Sequence, residues 1–81
     1  MTMVEPRSIE DSIRAGLAVT HLEVSGDGAH FEAVVVSPAF EGLSRVRRHQ
    51  LVYGALGERM GGEIHALSMK TFSPGEWAAL D

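Results

Sequence analysis

The chain of 81 residues contains no cysteine. Disulfides and thiolate chemistry are therefore excluded. Any metal bound by its own side chains must rely on histidine and carboxylate, unless another molecule contributes thiolates. Long apolar runs are also lacking, because none approaches the roughly 18 residues that span a bilayer. The amino-terminal residues show neither a signal-peptide core nor an arginine-rich transit pattern. We therefore expect a cytoplasmic protein without a membrane partner.

Aromatic side chains are scarce as well, since the chain has three Phe, one Tyr and one Trp. Val, Leu and Ala must therefore supply most of a core, and a domain of this size buries only about 60% of its unfolded surface. The length predicts a single domain over residues 1–81, in which residues 1–7 form a flexible tail. The formal net charge of −4 argues against a general nucleic-acid binder, which usually carries a basic charge.

The first stretch after the tail predicts a short helix. Ser8 is expected to cap it, and Glu10 and Asp11 then place negative charge in its first turn, where the helix dipole favours it. Gly16 is its expected end. The apolar stripe of this helix recurs at four-residue spacing and consists of Ile9, Ile13 and Leu17.

A β-hairpin is predicted next, because residues 21–25 and 30–36 alternate in polarity. Gly26-Asp27-Gly28 between them is typical of a tight hairpin turn. In the second strand we expect the face that carries Phe31 to point to the core. His30 then lies on the opposite, wetter face.

The second half of the chain predicts a long helix, a third strand and a short final helix. Ser44 is a candidate cap for the long helix, and Gly61-Gly62 is its expected end. The third strand is expected over residues 64–70, with a polarity that does not decide which face is inward. Ser73 is expected to cap the final helix. The apolar residues expected to pack inward are Val46, Val52, Tyr53, Leu56 and Met60 of the long helix, then Trp77 and Leu80.

This order of elements predicts an α+β fold with the sequence α-β-β-α-β-α. The hairpin makes the first two strands antiparallel, and the helical crossover favours a parallel, right-handed pairing of the second and third strands. The expected architecture is a three-stranded mixed sheet with helices packed on one face.

Two histidines are expected to meet at one edge of this sheet. His30 opens the second strand and His65 lies at the start of the third, so parallel pairing brings the two residues together. Imidazole is a ligand for iron, zinc and copper, but two ligands are too few for a stable tetrahedral site. From the residues alone, the favoured interpretation is an ordinary half-exposed histidine that is satisfied by backbone or water. A half-site completed by a second protein is the alternative.

A set of short motifs occurs in a fixed order along most of the chain, from about Ser8 to Trp77. The motifs are Gly26-Asp27-Gly28-x-His30-Phe31, Phe40-x-Gly42, Arg48-His49, Val52-Tyr53, Leu56, Met60, Ile64-His65-Ala66-Leu67 and Lys70-Thr71-x-x-Pro74-x-Glu76-Trp77. None of them is specific alone, but together they resemble the BolA-like family.

The resemblance implies a fold related to the class II KH topology and a non-enzymatic function. BolA-like proteins pair with monothiol glutaredoxins, and the pair shares a bridging [2Fe–2S] cluster that glutathione also ligates. The residues matching the family's ligands are His65 and His30. The resemblance therefore implies a role in iron–sulfur cluster assembly, trafficking or iron regulation. The isolated chain is expected to bind no cluster and to be a monomer or a weak homodimer.

A basic segment, Arg45-Val46-Arg47-Arg48-His49, is the second candidate site. Its functional interpretation is contact with an anion or with an acidic partner surface, and Arg48-His49 matches the family motif. The alternative is a solvated helical turn paired with Glu41 or Glu58. Because some BolA-like proteins are linked to DNA binding and transcription control, a nucleic-acid-binding regulator is the second functional hypothesis. No nucleophile–base spacing or phosphate-binding glycine loop suggests catalysis.

Overall fold

The computed structural model describes residues 4–80. Its helices and strands follow the predicted order. They are α1 (Pro6–Gly16), β1 (His21–Gly26), β2 (His30–Val36), α2 (Arg45–Leu56), β3 (Ala66–Phe72) and α3 (Pro74–Ala78), with single 3-10 turns at Pro38–Phe40 and Gly57–Arg59. No helix within residues 4–80 has the length and apolar character needed to cross a bilayer.

The sheet has the predicted mixed topology, with strand order β1-β2-β3. β1 runs antiparallel to β2, and His21 lies opposite Val36. β2 runs parallel to β3, and His30 lies opposite Ala66. The α+β class and the three-stranded sheet are therefore confirmed, while the relation to the KH topology stays a prediction.

The core lies between the sheet and the two longer helices. Phe31, Ala33 and Val35 are buried on one face of β2, which confirms the predicted orientation of that strand. Leu67 and Met69 pack against the same core, so the register decides the orientation of β3 that polarity left open. The helical residues that complete the core are Ile9, Ile13, Val52 and Leu56.

The start of α1 differs from the prediction. The helix begins at Pro6, and Glu5 occupies the N-cap position without a side-chain hydrogen bond. Proline suits the first helical position because its φ is already helical and its missing N–H needs no acceptor there. Ser8 is therefore inside the helix rather than its cap, and Glu10 and Asp11 lie beyond its first turn. The predicted tail overlaps the start of α1, and residues 1–3 lie outside the described residues.

Ser8 contributes to a contact between α1 and the turn after α2. Arg59 Nη1 donates to the Ser8 carbonyl at 3.0 Å, and Arg59 Nη2 donates to the Ser8 hydroxyl at 2.7 Å. On the other side of α1, the Glu10 carboxylate accepts a hydrogen bond from the Val24 backbone N–H at 3.2 Å. Polar contacts thus join α1 to β1 and to the turn after α2, in addition to the packing of its buried stripe.

The predicted cap of α2 is confirmed, but its predicted end is not. The Ser44 hydroxyl accepts from the Arg47 N–H at 3.2 Å. The α-helix ends at Gly57, which has φ of 59°, four residues before the expected Gly61-Gly62 stop. A positive φ is readily adopted only by glycine. The helix therefore ends at Gly57, the glycine that directly follows the buried Leu56.

The predicted apolar stripe of α2 is correct for Val52 and Leu56, which are buried, and wrong for two other positions. Val46 and Tyr53 are exposed, with 66% and 39% of their surface accessible. At 3.6 residues per turn, these two residues share one line that is turned about 100° from Val52. The buried residues of α2, Val52 and Leu56, therefore form a narrower line than the predicted stripe.

The third strand begins later than predicted, at Ala66 instead of residue 64. Ile64 is fully buried but belongs to the preceding turn, where its N–H donates to the Arg59 carbonyl at 2.9 Å. That turn pulls Ile64 into the core before the chain extends. The burial of Ile64 therefore reflects the turn and not strand alternation.

The short helix α3 is capped as predicted. It covers one end of the sheet face that points away from the core. The Ser73 hydroxyl accepts from the Glu76 N–H, and the Glu76 carboxylate accepts from the Ser73 N–H, which forms a capping box. Trp77 stacks on His21, with centroids 4.8 Å apart, and contacts Phe72 at 5.4 Å. Leu80, which was expected to pack inward, is 57% exposed.

Candidate functional site

The two candidate ligand histidines lie at the same edge of the sheet. His30 is the first residue of β2, and the parallel register pairs it with Ala66, the first residue of β3. His65 directly precedes Ala66 in the chain. Both histidines are exposed. The prediction that parallel strands bring these residues to a common edge is therefore confirmed, and we call this edge the histidine edge.

The turn that precedes His30 is held by the Asp27 side chain. Asp27 Oδ1 accepts hydrogen bonds from the backbone N–H groups of His30 and Ala29, both at 2.9 Å. These two backbone donors, His30 first, lower the pKa of the Asp27 carboxyl below its usual value. A Cβ at Gly26 would collide with the His30 carbonyl and the Phe31 ring. The backbone position of His30 is thus fixed by a compact turn.

Asp27, expected from the sequence only as part of a turn, also holds the backbone of His30 in place. An aspartate whose side chain binds backbone N–H groups two and three residues ahead is a common local signal in turns. That signal is present in Gly26-Asp27-Gly28. Through it, the Asp27 carboxylate binds the backbone N–H of His30, the first residue of β2.

The histidine edge provides two side-chain ligands and no more. Within residues 4–80, no three histidine or carboxylate side chains are grouped closely enough to hold a metal ion. Two exposed imidazoles could occupy two positions around an iron atom and leave the others to thiolates from elsewhere. The chemistry of the donor set fits a shared site, while ligation itself stays a prediction.

The basic segment is divided by the fold into exposed and internal residues. Arg45 and Arg47 are exposed in the first turn of α2. Arg48 is different, because only 11% of its side chain is exposed. Its guanidinium donates to the Leu43 carbonyl at 2.9 Å and to the Thr71 carbonyl at 3.2 Å. Arg48 therefore links α2 to β3 and is not free to bind an external anion.

Glu76 is the ion-pair partner of Arg48, in place of the Glu41 or Glu58 considered from the sequence. Two hydrogen bonds of 2.7 and 3.3 Å join the guanidinium to the carboxylate. The bond from Arg48, followed by the bond from the Ser73 N–H, lowers the pKa of Glu76 from 4.5 to about 2. The pair fixes α3 against α2, so Arg48 has a structural function in this fold.

His49 lies half-buried on α2, beside the exposed part of the segment. Its ring meets Tyr53 edge to face, with centroids 6.4 Å apart. This contact follows the surface of the helix, one turn along. The cations that remain available to a partner from this segment are Arg45 and Arg47, with His49 next to them.

Comparison with known proteins identifies the family. The family model described as BolA-like protein matches residues 7–76. The acid stress protein IbaG of Escherichia coli (strain K12) is 41% identical over 76 residues, which cover 93% of this chain and 90% of IbaG. The DNA-binding transcriptional regulator BolA of Haemophilus influenzae is 42% identical over 62 residues, covering 74% of this chain and 60% of that protein.

A solved structure agrees with the sequence comparison. The structure of a BolA protein homologue from Coxiella burnetii superposes with a TM-score of 0.82 and 48% sequence identity, and the match covers 94% of this chain and 99% of that one. The family model spans most of the chain, and the relatives and the fold point to the same group. The chain belongs to the BolA-like family.

Proposed function

We propose that the chain is a non-enzymatic partner of a monothiol glutaredoxin and shares a bridging [2Fe–2S] cluster with it. The observation that carries the proposal is the histidine edge, where both histidines are exposed, His30 opens β2 and His65 directly precedes the parallel neighbour β3. On this proposal the protein acts in iron–sulfur cluster assembly, trafficking or iron regulation.

The ligand chemistry of the two partners is complementary. This chain has no cysteine and so cannot complete an iron–sulfur site by itself. Two histidines ligating one iron of a [2Fe–2S] cluster have precedent in Rieske centres, where they raise the reduction potential. His65 and His30 would hold one side, and the glutaredoxin cysteine and glutathione would hold the other. When bound, the cluster supplies redox and transfer chemistry, and the chain supplies position and exposure.

The test uses the complete chain mixed with a monothiol glutaredoxin, glutathione, iron and sulfide. We expect a visible absorption spectrum of the Rieske type from the parent mixture. His65→Ala is expected to abolish that spectrum, because it removes one of the two imidazoles from the iron. His30→Ala is likewise expected to weaken or abolish the Rieske-type spectrum. The measurement is the absorption and circular dichroism spectrum between the near ultraviolet and the red.

His21→Ala is the matched control, because His21 is paired with Val36 at the opposite edge of the sheet. It removes an imidazole without touching the histidine edge, so its mixture should keep the parent spectrum. Far-ultraviolet circular dichroism of each variant alone establishes that the fold is retained. A parent-like spectrum from folded His65→Ala would contradict the proposal.

A nucleic-acid-binding regulator is the second candidate. The observation that favours it is the exposure of Arg45 and Arg47 on the first turn of α2. One relative carries the name DNA-binding transcriptional regulator. The net charge of −4 opposes this function, because phosphate contacts dominate nucleic-acid affinity.

Titration with duplex DNA at two salt concentrations tests the second candidate. If it is correct, binding is tight and falls steeply with salt, and Arg45→Glu combined with Arg47→Glu abolishes it. Arg48 is left unchanged because its replacement would disturb the contact with Glu76. Arg7→Glu combined with Arg14→Glu on α1 makes the same change in net charge and serves as the control. Absence of saturable binding at physiological salt would reject this function.

A further inference from the structure

The outer edge of β3 has backbone groups without a strand partner. The Phe72 carbonyl accepts from the Ser37 N–H, so residue 72 and every second residue before it bond toward β2. The intervening residues Leu67, Met69 and Thr71 therefore direct their N–H and C=O groups away from the sheet. Within residues 4–80, the hydrogen bond that reaches this edge is the one from Arg48 to the Thr71 carbonyl. Within the same residues, the N–H and C=O groups of Leu67 and Met69 and the Thr71 N–H have no hydrogen-bond partner.

These open backbone groups face a cleft of about 820 Å³ between α2, β3 and α3. Its walls include Leu43 and Met69, which are partly buried apolar side chains, and the exposed Leu80. The cleft thus combines a free strand edge with apolar walls. This combination is the one that proteins use to accept an extended peptide as an added strand.

The charge of the cleft selects the kind of peptide. Arg45, Arg48 and Lys70 line it, with Glu76 as its acidic residue. Because Glu76 is paired with Arg48, the cations of the cleft that form no ion pair within residues 4–80 are Arg45 and Lys70. This positive cleft belongs to a chain whose formal net charge is −4. An acidic ligand therefore has an electrostatic preference for this cleft over the rest of the surface.

We propose that the outer edge of β3 binds an extended acidic segment of another protein as a fourth strand. The segment pairs with the open groups of Met69 and the Thr71 N–H. Its apolar side chains lie against Leu43 and Leu80, and its carboxylates lie near Arg45 and Lys70. The guanidinium of Arg48, which occupies the Thr71 carbonyl, marks the end of the added ladder. The proposal is independent of cluster binding.

Two other occupants fit the cleft less well. In a second copy paired through β3, the Arg45 and Lys70 side chains of both copies would approach one another, and like charges disfavour that contact. Single-stranded nucleic acid is usually held by bases stacked on exposed aromatic rings. The Phe72 ring in the lining is instead packed against Trp77, at 5.4 Å.

The experiment titrates the complete chain with a short peptide that alternates glutamate and valine. Peptide binding is followed by fluorescence anisotropy, and the site is located by hydrogen exchange of individual amides. We expect saturable binding and slowed exchange of the Met69 and Thr71 amides. Arg45→Glu combined with Lys70→Glu should weaken the affinity by about tenfold or more, because it replaces two attractions by two repulsions. Higher salt should weaken parent binding as well.

The control variant is Arg7→Glu combined with Arg14→Glu, which makes the same change in net charge on α1, away from the cleft. This control should bind the peptide with the parent affinity. That result would show that the change in net charge alone does not weaken binding. A peptide with proline at alternate positions should bind poorly, since it lacks the N–H groups that a ladder needs.

Three results would overturn the proposal. The first is peptide binding that leaves the exchange of the Met69 and Thr71 amides unchanged. The second is slower exchange of these amides at higher protein concentration without any peptide, which would assign the edge to a second copy of the chain. The third is equal protection by a single-stranded oligonucleotide together with no binding of the acidic peptide, which would assign the cleft to nucleic acid.

Discussion

At the scale of single residues, two glycines have opposite reasons for being glycine. A side chain at Gly26 would meet the His30 carbonyl and the Phe31 ring, whereas Gly54 on α2 has no atom within 4 Å of the place that a Cβ would occupy. Gly26 allows the hairpin to approach itself closely. Gly54 has no such requirement within the described part of the fold, and glycine in a helix interior costs stability.

This contrast gives a paired prediction. Gly26→Ala should lower the free energy of unfolding by about 1–3 kcal/mol, because an added methyl in a packed place forces the backbone to shift. Gly54→Ala should raise the free energy of unfolding by up to about 1 kcal/mol through helix propensity. Urea denaturation of the two variants and the parent measures both. Equal effects of the two substitutions would show that the close approach at Gly26 has no energetic importance.

At the scale of elements, the Arg48–Glu76 pair joins α2 to α3 across the end of β3. The pKa of Glu76 is about 2 in the folded protein, below its ordinary value of 4.5. A carboxyl with a lowered pKa in the fold stabilises the protein fully above pH 4.5, and this contribution is lost as the pH falls toward 2. Protonation of Glu76 is therefore expected to destabilise the fold at acid pH.

Glu76→Gln should therefore make the free energy of unfolding fall less steeply between pH 4.5 and 2 than it does in the parent. Glutamine can still serve the capping box at this position, so the substitution tests the charge and not the cap. Urea denaturation at a series of pH values is the measurement. Glu41→Gln, on the exposed connector before α2, is the control and should keep the parent slope. A parent-like slope in Glu76→Gln would contradict the assignment.

At the scale of the whole molecule, the fold was predictable because its periodic signals are local. Alternation in β2, the hairpin glycines and the four-residue stripe of α1 were sufficient for the element order, and the crossover rule then gave the parallel pairing. The parallel pairing alone was sufficient to predict that His30 and His65 lie at one edge of the sheet. The edge was therefore an inference from topology, confirmed by the register of β2 and β3.

What could not be predicted depends on contacts between distant residues. Arg48 and Glu76 are 28 positions apart, and no local pattern marks either as the partner of the other. The burial of Ile64 comes from a turn, although its place beside the third strand suggested alternation. The start of α1 was misplaced because Pro6 competed with Ser8, and the proline determined the first turn. In each case tertiary contacts or backbone geometry outweighed the sequence pattern.

Each outer strand of the sheet has a backbone group that is occupied by a side chain, and this has a consequence for assembly. On β1 the Glu10 carboxylate accepts from the Val24 N–H, and on β3 the Arg48 guanidinium donates to the Thr71 carbonyl. Fibrils that grow by sheet extension need a continuous run of free backbone groups on both outer strands of every subunit. A side chain on each outer strand interrupts that run, so the domain can accept a short visiting strand on β3 and still resist polymerising with itself.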